Sequence, residues 1–354
     1  MKPILAITMG DPAGIGPEIC VRSLARPETY NLCRPIIIGD AKIIQLAIDV
    51  LTNLPEGAIP AMKVNAVTSV SDARFEPGTI DVYDLDLISL DTFQWGQVQV
   101  QCGNAAFQYV RKAIDLAMAD EVDGTCTAPL NKEAIHLAGH NYDGHTEIYA
   151  TFTNTKKYAM LLADGPMRVI HVSTHVSLRE ACDRCKKARI IEVYELIDDA
   201  CRQFGIDNPH IAIAGLNPHC SENGLFGWEE AQEIIPAVEE LRQRGFNVEG
   251  PVPPDSVFAK AKSGKYDGVV AQYHDQGHIP LKVVGFNWDA ATGKMLPQKG
   301  VNITLGLPII RVSVDHGTAF DVAGKGVAAE DALISSIEYA TKMAITRRER
   351  KAAK

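Results

Sequence analysis

The chain has 354 residues and a net charge of −9. Its 46% hydrophobic and 22% charged residues fit a folded globular protein, large enough for two lobes or one large α/β core. The acidic balance excludes a general nucleic-acid or anionic-membrane binder, but not an anionic substrate held in a locally basic pocket. No apolar run reaches bilayer length, and a strand-like run begins at residue 4 where a secretory signal would stand. Eight cysteines scattered along the chain do not read as a disulfide framework. A cytoplasmic location, with no membrane contact, is the expectation.

Residues 4–9 form the first short apolar run, read as a buried strand. GDPAGIGPE (10–18) follows it and opens a helix. Its glycines bring backbone N–H groups toward an anion at a helix N-terminus, but the spacing is not G-x-G-x-x-G, and such turns are often purely structural. Residues 35–39 read as the next strand. Phe107, Val110, Ile114 and Ala117 share one helical face. His145, Thr146 and Glu147 put polar groups in a glycine turn. Residues 167–174 read as a strand leading to His175. Cys182 and Cys185 form a C-x-x-C pair in a helical stretch, without a second pair at zinc-ribbon spacing. Ile190, Val193, Ile197, Ala200 and Phe204 mark a helix stopped by Gly205. Ile234, Ile235, Val238 and Leu241 mark another, stopped by Gly245. Between these helices, strand 211–215 leads to GLNPH and His219.

Asp255, in PVPPDSVF, reads either as a carboxylate on a rigid turn or as the N-cap of a helix over 257–261. Strand 268–272 leads to His274 and Asp275. The polar segment 287–299 reads as a surface loop or lid. The last strand, 308–314, leads into DHGTAFDVAGKG (315–326). There Asp321, among small residues, suits both ribose hydroxyls of a dinucleotide and repels a 2′-phosphate, although on the residues alone a plain glycine loop with a helix cap is the better reading. The basic tail 347–354 is expected to be a frayed helix end or disordered.

Alternating strands and helices imply an α/β fold with a mainly parallel sheet, whose ligands sit beyond the carboxyl ends of the strands. Gly10 and Asp11, His175, His219, His274 with Asp275, and Asp315 with His316 all follow strands. Their coincidence points to one site. The three histidines are either hydrogen-bonded structural residues or ligands of a shared divalent cation such as Zn²⁺, Mn²⁺, Co²⁺ or Ni²⁺. An open coordination position would acidify a substrate hydroxyl, with Asp275 orienting His274. Lys282, Asn302 and Arg311 make a plausible phosphate or carboxylate clamp.

GDPAGIGPE, TAPLNKEA, GHTE, HVSTH, GLNPH, YHDQGHIPLK, GVNITLGLP and SVDHGTAFDVAGKG occur in this order over nearly the whole chain. Together they resemble the 4-hydroxythreonine-4-phosphate dehydrogenase family. YHDQGHIPLK and DHGTAFD read closer to its D-threonate/D-erythronate 4-phosphate dehydrogenase branch. The first and last motifs are also similar to GDGIGPE and HGSAPDIAGKG of 3-isopropylmalate dehydrogenases.

The resemblance implies an isocitrate/isopropylmalate dehydrogenase-like fold, two α/β lobes around a central cleft. One lobe would be 1–125 with 300–345, binding the dinucleotide; the other 126–299, binding metal and substrate; 346–354 would be a basic tail. It implies a homodimer whose interface holds one divalent metal (Zn, Mn, Co, Ni or Mg) on His175, His219 and His274, with ligands from both subunits. His145, Thr146, Lys282, Asn302 and Arg311 would contact a phosphorylated hydroxy acid. NAD would lie against Gly10, Asp11, Gly14, Gly16, His316, Gly317, Asp321 and Gly324. Asp255 or Asp275 would take the hydroxyl proton, and the oxidised product would decarboxylate to dihydroxyacetone phosphate. The alternative substrate is the 2-amino analogue, 4-phosphohydroxy-L-threonine of vitamin B6 synthesis. A metal-dependent aldolase or hydrolase, a non-catalytic binding protein and an aromatic dihydrodiol dehydrogenase are more distant readings. Two departures stand out: NGLFG (223–227) where the biosynthetic branch carries a second histidine, and the insertion 287–299.

Overall fold

The computed structural model describes residues 1–352 other than 292 and 297, with 294 and 295 described in backbone only. Its strands are β1 (Ile4–Thr8), β2 (Arg34–Gly39), β3 (Lys63–Val67), β4 (Thr79–Asp84), β5 (Gly124–Thr127), β6 (Ala159–Asp164), β7 (Met167–His171), β8 (Ile211–Ala214), β9 (Val248–Val252), β10 (Gly268–Ala271), β11 (Trp288–Asp289), β12 (Lys294–Met295), β13 (Val301–Leu305) and β14 (Arg311–Val314). Its helices are α1 (Gly16–Ala25), α2 (Thr29–Leu32), α3 (Ala41–Thr52), α4 (Val100–Met118), α5 (Lys132–Leu137), α6 (His145–Phe152), α7 (Leu178–Arg184), α8 (Lys187–Gln203), α9 (Ile235–Gln243), α10 (Pro254–Lys262), α11 (His274–Gly285) and α12 (Asp331–Ala352). No helix among the described residues is long and apolar enough to cross a membrane.

The chain forms two compact units: 1–156 with 297–301 and 307–354, and 157–296 with 302–306. The first runs past the boundary expected at residue 125, because α5 and α6 pack on α4. Its sheet has the order β3-β4-β2-β1-β5-β14, with every pair parallel. The central strands are buried on both faces and so read as unbroken apolar runs. In the second unit the order is β13-β6-β7-β10-β8-β9. Here β6 and β7 are antiparallel, and β7, β10, β8 and β9 run parallel. Its core gathers Val169, Ala212, Val257, Phe258, Val269 and Leu281.

Several expectations shift. The strand expected over 167–174 ends at His171, and that over 308–314 begins at Arg311. Ile235 is exposed, because a π turn over Glu230–Ile234 rotates the helical register just before it. Segment 287–299 carries a small hairpin, β11 against β12, on either side of the undescribed residue 292. The tail is neither frayed nor loose up to Ala352. Arg348 donates two hydrogen bonds of 2.6 Å to the Asp123 carboxylate, and Lys351 pairs with Asp120. Residues 353 and 354 lie outside the described residues.

Candidate active site

In the first unit, β14 starts beside β5, and α6 begins nearby. This brings Arg311, His145 and Thr146 to one place. Arg311 is 3% exposed. Its Nη2 donates to Thr127 Oγ1 (3.1 Å), and its guanidinium lies 5.7 Å from the Tyr149 ring. Tyr149 sits one turn beyond His145 and donates to Thr125 Oγ1 (2.9 Å). Burial lowers the Arg311 pKa to about 10, so it stays charged at neutral pH. Burial, and then the Arg311 charge, push His145 well below its ordinary value. His145 as a residue is half-buried, but its Nε2 is enclosed without a partner. A buried cation beside a neutral imidazole with an unused ring nitrogen suits an anion such as a phosphate.

The same unit joins the two glycine-rich motifs. Gly10, Asp11, Gly14 and Gly16 are all buried, and their near neighbours are protein atoms. A Cβ on Gly16 would lie 2.1 Å from the Met9 carbonyl oxygen, so α1 starts against β1 only with glycine there. Gly14 packs on Thr318, and Ile15 N–H donates to the Thr318 carbonyl (3.0 Å). In the second motif, Gly317 and Asp321 are exposed, and His316 is half-buried with Gly324. An accessible carboxylate on a loop held from behind fits a ribose diol.

Asp11 is fully buried, with Oδ1 accepting the Ala13 N–H (2.9 Å) and Oδ2 unpartnered. Burial raises its pKa to about 7. A raised carboxyl contributes stability that is complete below its unfolded value near pH 4 and is lost as pH rises through 7. Asp11→Asn is therefore expected to flatten the fall in stability between those values. At pH 8 it should be the more stable form by roughly 4 kcal/mol. Thermal melts of both proteins at pH 5 and pH 8 check this; parallel shifts would contradict it.

The second unit brings His175, His274 and Asp275 together. They line one cavity of about 470 Å³ with Thr174, Ser177 and Tyr273. The His175 and His274 rings are 5.8 Å apart. His274 Nδ1 donates to Asp275 Oδ1 (2.7 Å), which leaves Nε2 for a ligand. Lys282 lies two turns further along α11, its ammonium 4.6 Å from the Phe286 ring. Asn302 donates to Met160 Sδ, and its Oδ1 is buried and unpartnered.

His219 does not line that cavity. It begins a run of five consecutive left-handed residues, His219, Cys220, Ser221, Glu222 and Asn223, with φ between 43° and 67°. The run is anchored by Glu230, whose Oε1 accepts the N–H groups of Leu216 (2.8 Å) and Asn217 (2.7 Å). Asp255 lies near this turn, close enough for its charge to act on Cys220. The N-cap alternative for Asp255 does not hold: Pro253 takes that place, and Asp255 is in the first turn of α10 without a capping bond. Neither member of the C-x-x-C pair is in a disulfide, and Cys185 is buried against Gln272.

Four further residues escaped the sequence reading. Gln272 Nε2 donates to the Ala214 carbonyl (2.7 Å) and Gln276 Nε2 to the Gly215 carbonyl (2.8 Å). They staple the end of β10, which carries His274, to the end of β8, which leads to His219. His278 stacks flat on His274, with centroids 3.6 Å apart. His171 lies behind them, 4.6 Å from His278; its Nδ1 faces the Met160 carbonyl (3.4 Å), and its Nε2 is buried without a partner. Burial and the neighbouring histidines lower its pKa to about 3, so it is neutral. The i, i+4 spacing of His274 and His278 was the available signal.

The donors of the cavity suit a divalent cation of the zinc or manganese kind, because His274 is already oriented by a carboxylate. Among the described residues, no three His, Cys, Asp or Glu side chains gather as a metal-binding group.

Residues 31–340 match the family described as pyridoxal phosphate biosynthetic protein PdxA. The chain is 46% identical over 341 residues to the D-threonate 4-phosphate dehydrogenase of Salmonella typhimurium LT2, covering 96% of this chain and 98% of that protein. The crystal structure of a 4-hydroxythreonine-4-phosphate dehydrogenase from Klebsiella pneumoniae superposes with a TM-score of 0.81 at 44% identity, covering 97% and 99% of the two chains. A terephthalate 1,2-cis-dihydrodiol dehydrogenase from Burkholderia xenovorans LB400 follows at 28% identity and a TM-score of 0.66, covering 96% and 98%. The fold is thus of the isocitrate/isopropylmalate dehydrogenase-like class expected from the sequence.

Proposed function

This chain belongs to the PdxA family and is an oxidoreductase acting on a CH–OH group, and on that premise we propose that it oxidises D-threonate or D-erythronate 4-phosphate at the C3 hydroxyl with NAD. The 3-oxo acid then loses C1 as carbon dioxide and becomes dihydroxyacetone phosphate. The enclosed Arg311 cation carries this reading, because it gives a dianionic phosphate a charged partner away from water. The 46% identity to a D-threonate 4-phosphate dehydrogenase supports the hydroxy rather than the amino acid at C2.

In this reading Arg311, His145 and Thr146 hold the phosphate end, with Lys282 and Asn302 as further polar contacts. Asp275 fixes the His274 ring, and Asp255 or Asp275 would take the hydroxyl proton, directly or through one water. His175, His219 and His274 hold the divalent cation; Asp321, with His316, Gly317 and Gly324, receives the dinucleotide, backed by the Gly10–Gly16 turn. When bound, the cation would supply Lewis acidity to the site and the nicotinamide a hydride acceptor. A homodimer completes the cation site. Large exposed apolar side chains beside His219 and along α11 support this closure, namely Leu225, Phe226, Trp228, Ile279 and Val283.

The test is NADH formation with Mn²⁺, Co²⁺ or Zn²⁺, comparing D-threonate 4-phosphate with 4-phosphohydroxy-L-threonine. The expected result is at least about tenfold higher kcat/KM for the first. The reverse preference would move the protein to vitamin B6 synthesis, the second reading, which the family description favours. No NADH from either, with folded and metal-loaded protein, would overturn both.

A further inference from the structure

Glu18 closes the GDPAGIGPE motif, yet it faces no solvent: it is fully buried. Its carboxylate reaches across to the second glycine-rich motif. Oε2 accepts the Gly324 N–H (3.2 Å), and Oε1 accepts the Gly326 N–H (2.5 Å). One turn further along α1, Arg22 Nη2 donates to the Gly326 carbonyl (2.6 Å). The other end of the loop is held by the Ile15 N–H on the Thr318 carbonyl. From the opposite side, Trp95 covers Gly324 so closely that a Cβ there would lie 2.6 Å from the indole. Gly96 packs against the Phe320 carbonyl, and its N–H donates to Ala13 (2.8 Å).

We propose that Glu18 is a positioning residue for the dinucleotide: by taking up the Gly324 and Gly326 amides it fixes the 318–326 loop and so sets where Asp321 is presented. The two motifs are then not two separate anion cradles. The Gly324 and Gly326 amides of the second motif are occupied by protein and not open to a pyrophosphate. What the loop offers a ligand is the exposed Asp321 carboxylate, whose chemistry suits a ribose with both hydroxyls free and opposes a 2′-phosphate. Glu18 touches neither ligand nor reacting atoms; it acts through the backbone that carries Asp321. A glutamine in its place keeps the size but turns one acceptor into a donor facing an N–H group, which leaves a buried clash of like polarity.

This inference rests on the nicotinamide reading above. The test is titration of NAD⁺ and NADP⁺ into the full-length protein by tryptophan fluorescence, for the parent and for Glu18→Gln, with amide exchange read at Gly324 and Gly326. Glu18→Gln is expected to weaken NAD⁺ binding by at least about tenfold, to narrow the preference over NADP⁺ and to speed exchange at both glycines. The KM for the phosphorylated substrate should move by less than about twofold, since that site is built from other residues. Arg22→Met, which removes the bond to the Gly326 carbonyl together with a longer one to the Gly57 carbonyl and leaves the Glu18 bonds to both glycine amides in place, should show the same direction at smaller size. It keeps the test intact if Glu18→Gln fails to fold. Parent-like NAD⁺ binding in a folded Glu18→Gln overturns the proposal, as does an equal loss of affinity for NAD⁺ and for the phosphorylated substrate. A parent protein that binds neither dinucleotide instead fails the nicotinamide reading, and the proposal falls with its premise.

Discussion

Arg311→Met is expected to lose about a thousandfold in kcat/KM for D-threonate 4-phosphate while melting at or above the temperature of the parent. The two halves of this result have one cause. Arg311 is buried at the start of β14 against Tyr149 and Thr127, and burial alone already weakens its hold on its proton. A folded protein gains little from a desolvated cation in such a place, and an apolar side chain of similar volume is tolerated or preferred. An incoming phosphate gains a great deal, because the charge is already stripped of water and fixed in direction. Steady-state kinetics and a thermal melt of the same preparation check it. A loss of activity below tenfold would remove Arg311 from the substrate site. A large fall in melting temperature would make it a structural cation instead.

Gly277→Ala is the second substitution with a large expected effect, on stability rather than affinity. The added Cβ would lie 2.3 Å from His171 Nε2 and 2.7 Å from Val169 Cγ1. Neither neighbour can move easily: Val169 is in β7, and the His171 ring is wedged between the Met160 carbonyl and His278. Either α11 lifts, taking His274 with it, or His171 is expelled. The expected cost is about 3 kcal/mol, read as a shift in the urea midpoint at unchanged slope. His171→Ala in the same chain should recover much of it, because the clash and its relief share one contact. A midpoint within error of the parent would show that β7 and α11 pack more loosely than these distances imply.

Much of this arrangement was legible in the sequence, and the reasons for the remainder are physical. Strands β1, β2, β8 and β10 announced themselves because strands buried on both faces are short unbroken apolar runs. Strand β3, KVNAV, lies at the edge of its sheet with most residues only partly buried, so it carries no such run. Strand β5, GTCT, is buried yet too short and too polar in composition to stand out. His175, His274 and Asp275 were found as neighbours because strand ends gather at one edge of a parallel sheet. Other pairings are invisible along the chain. Arg311 and Thr127 are 184 residues apart, and Glu18 and Gly326 are 308 apart. No local pattern marks such partners; only the folded sheet brings them together. The helix tail was misread for a related reason: its arginines look like solvated charge until Asp123 is placed opposite them.

The left-handed run from His219 to Asn223 concentrates backbone strain in one turn of the second unit. Each such residue lies roughly 1–2 kcal/mol above its right-handed alternative, so five in succession hold a sizeable tension in a short stretch of chain. What opposes it is local, chiefly the Glu230 carboxylate on the Leu216 and Asn217 amides. Strands β8 and β10 are joined separately, by the Gln272 and Gln276 amides on the Ala214 and Gly215 carbonyls. The strained turn that carries His219 and the strand ends beneath it are thus held by different side chains.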